Sequence, residues 1–155
     1  MDNFSRRNFI KTAGLAGFGA LILPNSLFAY KGNQNFAKKV RIGMIGVGMR
    51  GQSNLEILAK RDDVEVIAFA DPNPIMMKNA QKILEKNQLA LAKEFSNGDY
   101  DYRNLLNLNN IDAVIISTPW EWHKIQGIEA MKAKKIVGME VCGAVKLNDC
   151  WDFVN

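Results

Sequence analysis

The sequence has little of the chemistry on which many metal and hydrolytic sites depend. It contains one histidine, His123, and two cysteines, Cys142 and Cys150, among 155 residues. No cluster of metal-ligating residues accompanies the cysteines, so we expect two buried free thiols rather than a disulfide or a metal pair. No arrangement of serine, histidine and aspartate resembles a hydrolytic triad. The sequence therefore predicts neither a metal site nor a disulfide framework.

The sequence also lacks an excess of one charge, internal repeats and a long apolar run. It carries 20 basic and 16 acidic residues, and 17 basic and 15 acidic residues follow the first 29 positions. This near balance argues against a nucleic-acid partner. The hydrophobic fraction of 48% and the charged fraction of 23% are typical of a globular protein, and the length suits about one domain.

Residues 1–29 predict an export signal rather than part of a fold. Paired arginines followed by Asn-Phe-Ile-Lys at residues 5–11 match the bacterial twin-arginine signal. The apolar stretch at residues 12–23 is too short and too weakly apolar for a convincing permanent span. An uncleaved membrane anchor is the alternative. We therefore expect export of the folded protein by the twin-arginine machinery to the periplasm or the exterior, with residues 30–37 as a linker.

A glycine-rich turn follows the first predicted strand. Gly46, Gly48 and Gly51 have the spacing G-x-G-x-x-G between an apolar strand at residues 38–46 and a helix at residues 50–60. In a dinucleotide site, the first glycine allows a tight turn, the second admits the pyrophosphate, and the third lets the helix pack on the strand. The start of the helix directs free N–H groups at the phosphates. The pattern favours dinucleotide binding over an ordinary structural turn.

Strands and helices alternate through residues 38–155. The predicted fold is an α/β doubly wound parallel sheet, a Rossmann dinucleotide-binding domain. The last predicted helix, at residues 147–155, has an apolar face and no strand after it. We therefore expect a truncated domain that lacks a C-terminal α/β substrate domain. The other predicted strands are at residues 64–71, 93–96, 111–118 and 136–141. One further predicted helix is capped by Asn73 and begins at Pro74, and the others cover residues 102–108 and 121–135.

An acidic residue closes the second predicted strand. Asp71 lies where a carboxylate accepts hydrogen bonds from the adenine ribose hydroxyls of a dinucleotide. The alternative is a helix-capping aspartate before Pro72. No arginine follows Asp71 to hold a 2′-phosphate, so NAD is predicted in preference to NADP. Arg50, within the glycine-rich turn, could pair with a phosphate.

Aromatic side chains and the histidine leave the end of the strand at residues 111–118. Trp120 and Trp122 could stack on a flat ring, and we expect His123 to face the cofactor beside them. Glu140, at the end of the next strand, could reach the same crevice. The alternative is that these aromatic residues only pack the start of a helix, whose predicted inward face comprises Trp122, Ile125, Ile128 and Met131.

These motifs resemble the Gfo/Idh/MocA oxidoreductase family, in which a Rossmann domain precedes a larger α/β substrate domain. The resemblance rests on Gly46-x-Gly-x-x-Gly51, Asp71-Pro72, Thr118-Pro119-x-x-x-His123 and Glu140. Trp-Glu-Trp-His and Gly-Met-Glu-Val look most like the exported glycosidases of glycoside hydrolase family 109, typified by α-N-acetylgalactosaminidase. The resemblance implies NAD contacts at Met49, Arg50, Asp71, Trp120, Glu121, Trp122, His123, Glu140 and Val141.

One position departs from the wider family and affects the implied chemistry. Family oxidoreductases commonly have Glu-Lys-Pro where this chain has Glu140-Val141-Cys142, and valine cannot transfer a proton. The glycosidase subgroup implies that NAD takes a hydride from C3 of an N-acetylgalactosaminide, that elimination and water addition follow, and that the hydride returns. Catalytic residues are expected beyond residue 155. The alternatives are a sugar dehydrogenase and a non-catalytic nucleotide-binding fragment, and a homo-oligomer is left open.

Overall fold

A computed structural model describes residues 39–154, which form a five-stranded sheet flanked by helices. The predicted export signal at residues 1–29 and the linker at residues 30–37 lie outside the described residues. Every strand pairing in the sheet is parallel. The predicted doubly wound α/β fold is therefore confirmed. The strands are β1 (Val40–Ile45), β2 (Val64–Ala70), β3 (Lys93–Phe95), β4 (Ala113–Ile116) and β5 (Ile136–Met139), and the helices are α1 (Met49–Leu58), α2 (Pro74–Lys86), α3 (Tyr102–Leu106), α4 (Trp120–Lys132) and α5 (Leu147–Val154).

The strand order places a crevice beside the first strand. The order across the sheet is β3-β2-β1-β4-β5. From β1 the chain moves outward through β2 to β3, then crosses back to β4 and moves outward in the other direction to β5. Such a reversal leaves a ligand crevice at the carboxyl ends of the strands, here between β1 and β4.

Helices cover both faces of the sheet. On one face, Leu55 of α1 and Met77, Ala80 and Leu84 of α2 are buried against β1 and β2. On the other face, Tyr102 and Leu105 of α3 pack with Ala130 of α4. Burial on both sides explains why β1 and β2 read as nearly continuous apolar runs.

The start of α2 follows its sequence signals. Asn73 caps the helix, and its Oδ1 accepts hydrogen bonds from the backbone N–H groups of Ile75 at 2.9 Å and Met76 at 3.4 Å. Pro74 occupies the first helical position, where its missing N–H costs nothing. The predicted cap and start of this helix are confirmed.

Trp122 packs against the core as predicted for α4, but the helix is rotated away from the rest of the predicted inward face. Its buried residues are His123, Gln126, Gly127 and Ala130, whereas Met131, predicted to face inward, is 41% exposed. The helix also ends at Lys132 rather than at residue 135. Lys134 adopts a left-handed φ of 59°, and the backbone N–H of Lys135 donates to Ala130 O at 3.0 Å, which closes the helix.

The prediction for the cysteines is half right. Both are free thiols, but Cys142 and Cys150 are exposed rather than buried. They lie after β5, in a segment that has little packed over it. Within residues 39–154, no group of three or more histidine, cysteine, aspartate or glutamate side chains is placed to hold a metal. In the same part of the chain, no helix combines the length and the apolar character needed to cross a membrane.

Candidate dinucleotide site

Two of the three glycines in the turn after β1 are required by the backbone itself. Gly46 has φ of +83°, and a Cβ there would lie 2.8 Å from Thr118 Cγ2 and 2.9 Å from the carbonyl carbon of Ser117. A Cβ on Gly51 would overlap the carbonyl oxygen of Gly46. These contacts let β1 turn tightly and let α1 pack directly on the turn.

The middle glycine faces open space instead. A Cβ on Gly48 would have no heavy atom within 4 Å, and Gly48 caps α1 without any side-chain hydrogen bond. The first N–H groups of α1 therefore face an open space, and any side chain at position 48 would begin to fill it. A pyrophosphate fits this position, because its oxygens would accept from those N–H groups and its charge suits the start of a helix.

A cleft of about 310 Å³ extends from this turn between the ends of β1, β2 and β4. It lies at the switch point that the strand order defines. Its lining comes from six segments: the glycine turn, the end of β2, the loop after β3, the start of α3, the end of β4 and the first turns of α4. The lining residues are Gly46, Gly48, Ala70, Asp71, Pro72, Gly98, Asp99, Tyr102, Ser117, Thr118, Pro119, Trp122 and Gln126.

Asp71 connects the glycine turn to the start of α2. Its Oδ2 accepts from the backbone N–H of Val47 at 2.9 Å, and its Oδ1 accepts from the backbone N–H of Asn73 at 2.8 Å. The alternative that Asp71 caps α2 is wrong, because Asn73 is the cap. Each carboxylate oxygen can accept more than one hydrogen bond, so Asp71 lines the cleft with capacity left for ribose hydroxyls.

Glu140 joins the end of β5 to α1. Its Oε1 accepts from Arg50 Nε at 2.8 Å and from Asn54 Nδ2 at 2.9 Å. These two donors hold the pKa of Glu140 below its usual value. Asn54 also donates to Ser117 Oγ at 3.1 Å, a connection that no sequence signal indicates. Glu140 thus fixes α1 beside the strand ends but does not line the cleft, and the prediction that Arg50 pairs with a phosphate stays a prediction.

The four residues from Trp120 to His123 have different surroundings. Trp120 is 63% exposed and Glu121 is also exposed, whereas Trp122 lines the cleft and contacts Tyr100 edge-on at 5.3 Å between ring centroids. Val141, after β5, is exposed as well.

The side chain of His123 does not face the cleft, contrary to the expectation that it faces the cofactor. The ring is fully buried, with Nδ1 2.8 Å from Cys142 O and Nε2 2.8 Å from Thr118 O. Because α4 begins at Trp120, its fourth position turns toward the sheet. His123 therefore joins the end of β4 to the segment after β5.

Sequence reasoning missed the wall that α3 and its preceding loop contribute. Gly98 and Asp99 follow β3, and Tyr102 begins α3. The Tyr102 hydroxyl donates to Glu129 Oε2 at 2.7 Å; burial, and then the Glu129 carboxylate, raises the pKa of Tyr102. Arg103 pairs with Glu129 at 2.7 Å, which fastens α3 to α4. The topology could have indicated this wall, since β3 is also parallel and its carboxyl end lies at the same edge of the sheet as the ends of β1 and β2.

Comparison with known proteins agrees with this geometry. Residues 40–153 match the family model described as the oxidoreductase family with an NAD-binding Rossmann fold. The WlbA dehydrogenase from Bordetella pertussis, solved in complex with NADH and UDP-GlcNAcA, superposes with a TM-score of 0.63 at 26% identity over 76% of this chain and 33% of that chain.

Two relatives share the name glycosyl hydrolase family 109 protein. One, from Shewanella baltica, is 35% identical in an alignment of 170 positions that covers 100% of this chain and 37% of the relative. The other, from Stenotrophomonas maltophilia, is 40% identical over 154 residues, covering 98% and 33%. This chain therefore spans about a third of the length of these relatives. The chain belongs to the Gfo/Idh/MocA oxidoreductase family, and its residues 40–153 form the NAD-binding Rossmann domain of that family.

Proposed function

We propose that this chain is the cofactor-binding part of an NAD-dependent glycosidase that acts on N-acetylgalactosaminides. Relatives named glycosyl hydrolase family 109 protein are 35% and 40% identical across nearly all of this chain. The chain spans 37% and 33% of those relatives, and the proposal assigns the sugar contacts to residues outside this chain.

The observation that carries the proposal is the residue after Glu140. Val141 is 82% exposed at the end of β5, where it can neither donate nor accept a proton. Glu140 beside it is held by Arg50 and Asn54. Residue 141 therefore cannot relay the proton of a sugar hydroxyl, which disfavours a dehydrogenase of the kind that uses lysine here.

The residues of this chain have a consistent role in such an enzyme. Gly48 and the first N–H groups of α1 would hold the pyrophosphate, and Asp71 would accept from the adenine ribose. When bound, NAD would supply a hydride acceptor at C3 of the sugar and a hydride donor later in the same cycle. The group that removes the C2 proton would come from the part of the protein that contacts the sugar.

The test uses the complete gene product with an N-acetylgalactosaminide in deuterated water. We expect cleavage of the glycosidic bond, no net formation of NADH, and deuterium at C2 of the released sugar, measured by absorbance and mass spectrometry. Cleavage without exchange at C2 would reject elimination as the mechanism. Stoichiometric NADH with an intact glycosidic bond would reject the glycosidase.

A sugar dehydrogenase is the second candidate. The observation in its favour is the 26% identical WlbA dehydrogenase structure, solved with NADH and a nucleotide sugar. The same experiment decides between the two, because a dehydrogenase accumulates NADH or passes electrons to another acceptor. A fragment that binds a nucleotide without catalysis would give neither product.

We also propose that the protein is exported by the twin-arginine route. The support is Arg6-Arg7 followed by Asn-Phe-Ile-Lys and a weakly apolar stretch. Replacing both arginines with lysine should retain the protein in the cytoplasm, as judged by cell fractionation. Undiminished arrival of the lysine variant in the periplasm would reject this route.

A further inference from the structure

A buried glutamine in the cleft has a polar atom without a partner. Gln126 is 3% exposed and lines the cleft. Thr118 Oγ1 donates to Gln126 Oε1 at 2.6 Å, and among residues 39–154 no group accepts a hydrogen bond from Gln126 Nε2. A ligand that covered this N–H2 group would displace the water that can reach it, so such a ligand must offer an acceptor in return.

The unpaired group is open to the cleft rather than sealed in the core. In the described part of the chain, no side-chain nitrogen or oxygen that is closed off from solvent lacks a hydrogen-bond partner. Nε2 is therefore in contact with solvent, and the cleft is the open space that Gln126 lines. The Thr118 hydroxyl holds the carbonyl oxygen of the side chain, which fixes the N–H2 group as the end presented to a ligand.

The position of Gln126 identifies the half of the dinucleotide that it would meet. The cleft extends from the glycine turn toward Asp71 at the end of β2 and Asp99 after β3, and Glu140 at the end of β5 is not part of its lining. The proposed function assigns Asp71 as the acceptor for the adenine ribose, which makes this the adenosine side of the site. Trp122, one helical turn before Gln126 on α4, and Pro119 give this side flat apolar surfaces that suit a purine.

We propose that Gln126 binds the adenine base of the cofactor by donating an N–H to a ring nitrogen. The ring nitrogens of adenine are hydrogen-bond acceptors, and they match the donor that Thr118 directs into the cleft. This inference rests on the cofactor site of the proposed function and adds a specificity residue to it. The hydrogen bond favours adenosine-containing ligands and does nothing for the nicotinamide half.

Calorimetric titration of the full chain with NAD, AMP and nicotinamide mononucleotide tests the inference. Gln126→Met keeps the length of the side chain and removes its polar atoms. We expect this variant to raise the dissociation constants for NAD and for AMP by the same factor, about fivefold, which corresponds to the loss of one neutral hydrogen bond. Affinity for nicotinamide mononucleotide should be unchanged.

Gln81→Met is the matched control. The Gln81 amide donates to Ala92 O at 2.6 Å and does not line the cleft. This variant should lower the melting temperature without changing the affinity for AMP, which separates lost stability from lost binding.

Three outcomes would overturn the inference. They are unchanged AMP affinity in Gln126→Met, an equal loss for AMP and nicotinamide mononucleotide, and failure of the unmodified chain to bind any of the three ligands. The last would also reject the cofactor site itself, whereas the first two leave it standing.

A second measurement avoids the variants, should Gln126→Met fail to fold. In the unmodified chain labelled with nitrogen-15 glutamine, the side-chain amide signals of Gln126 should shift when AMP is added and not when nicotinamide mononucleotide is added. No shift at saturating AMP would overturn the inference.

Discussion

Replacing Gly48 with alanine should separate the binding of NAD from the stability of the fold. Gly48 has φ of −64° and ψ of −167°, an extended conformation that alanine adopts without strain. A Cβ there would meet no heavy atom within 4 Å. The folded chain therefore has room for the methyl group, and only a ligand lying over the turn would collide with it.

The two effects have opposite signs and measurable sizes. A glycine-to-alanine change at a compatible position stabilises a protein by about 0.4–1 kcal/mol, because the unfolded chain loses freedom. For a domain of this size that is a rise in melting temperature of about 2–6 °C. A displaced pyrophosphate loses at least one charge-assisted hydrogen bond, worth about 1.5–3 kcal/mol, so the dissociation constant for NAD should rise at least about tenfold.

The assay pairs thermal unfolding with calorimetric titration of NAD, and the neighbouring glycines serve as controls. Gly46→Ala forces a side chain into φ of +83°, and Gly51→Ala overlaps the Gly46 carbonyl. Both controls should lower the melting temperature. If Gly48→Ala binds NAD as tightly as the unmodified chain, the pyrophosphate does not lie over this residue and the assignment of the turn is wrong.

Three further predictions concern the groups around the cleft. Titration should give a lower dissociation constant for NAD than for NADP, because the Asp71 carboxylate would accept from the ribose and repel a 2′-phosphate. Asp71→Ala should narrow the difference between the two constants. Equal constants for NAD and NADP in the unmodified chain would refute this prediction. Arg50 lowers the pKa of Glu140, so the ion pair between them stabilises the fold above the unfolded pKa near 4.5, and this stabilisation is lost as pH falls through the folded pKa. The Glu140→Gln variant should therefore be less stable than the unmodified chain at neutral pH and should lose less stability in acid. Parallel acid-unfolding curves for the two proteins would count against this prediction. Lys124→Met removes the contacts to Asp149 at 2.6 Å and to a second aspartate on α5, so hydrogen exchange should accelerate across α5 with little change elsewhere; unchanged exchange there would show that these ion pairs do not hold the helix.

The parts of the fold that could be predicted are those specified by short stretches of sequence. The apolar runs of β1 and β2 indicated buried strands, and the Asn73-Pro74 pair marked the start of α2. The spacing of the glycines reflects local backbone geometry, so the conformation of Gly46 and the packing at Gly51 were also accessible.

The parts that could not be predicted depend on contacts distant in sequence. The inward face of α4 is set by packing on α3 and the sheet, which turned His123 inward and Met131 outward. Asp99 and Gln126 line the cleft because of the order of the strands in the sheet, and the spacing of apolar residues along the sequence does not predict that order. The exposure of Cys142 likewise reflects how little packs on the segment after β5.

The most direct test of the account is a crystal structure of the chain grown with saturating NAD. We predict the pyrophosphate over Gly48 at the start of α1, the adenine ribose hydroxyls on Asp71, and the adenine between Trp122 and the carboxamide of Gln126. A dinucleotide bound away from the cleft between β1 and β4, or the reverse orientation with the nicotinamide at Asp71, would contradict it.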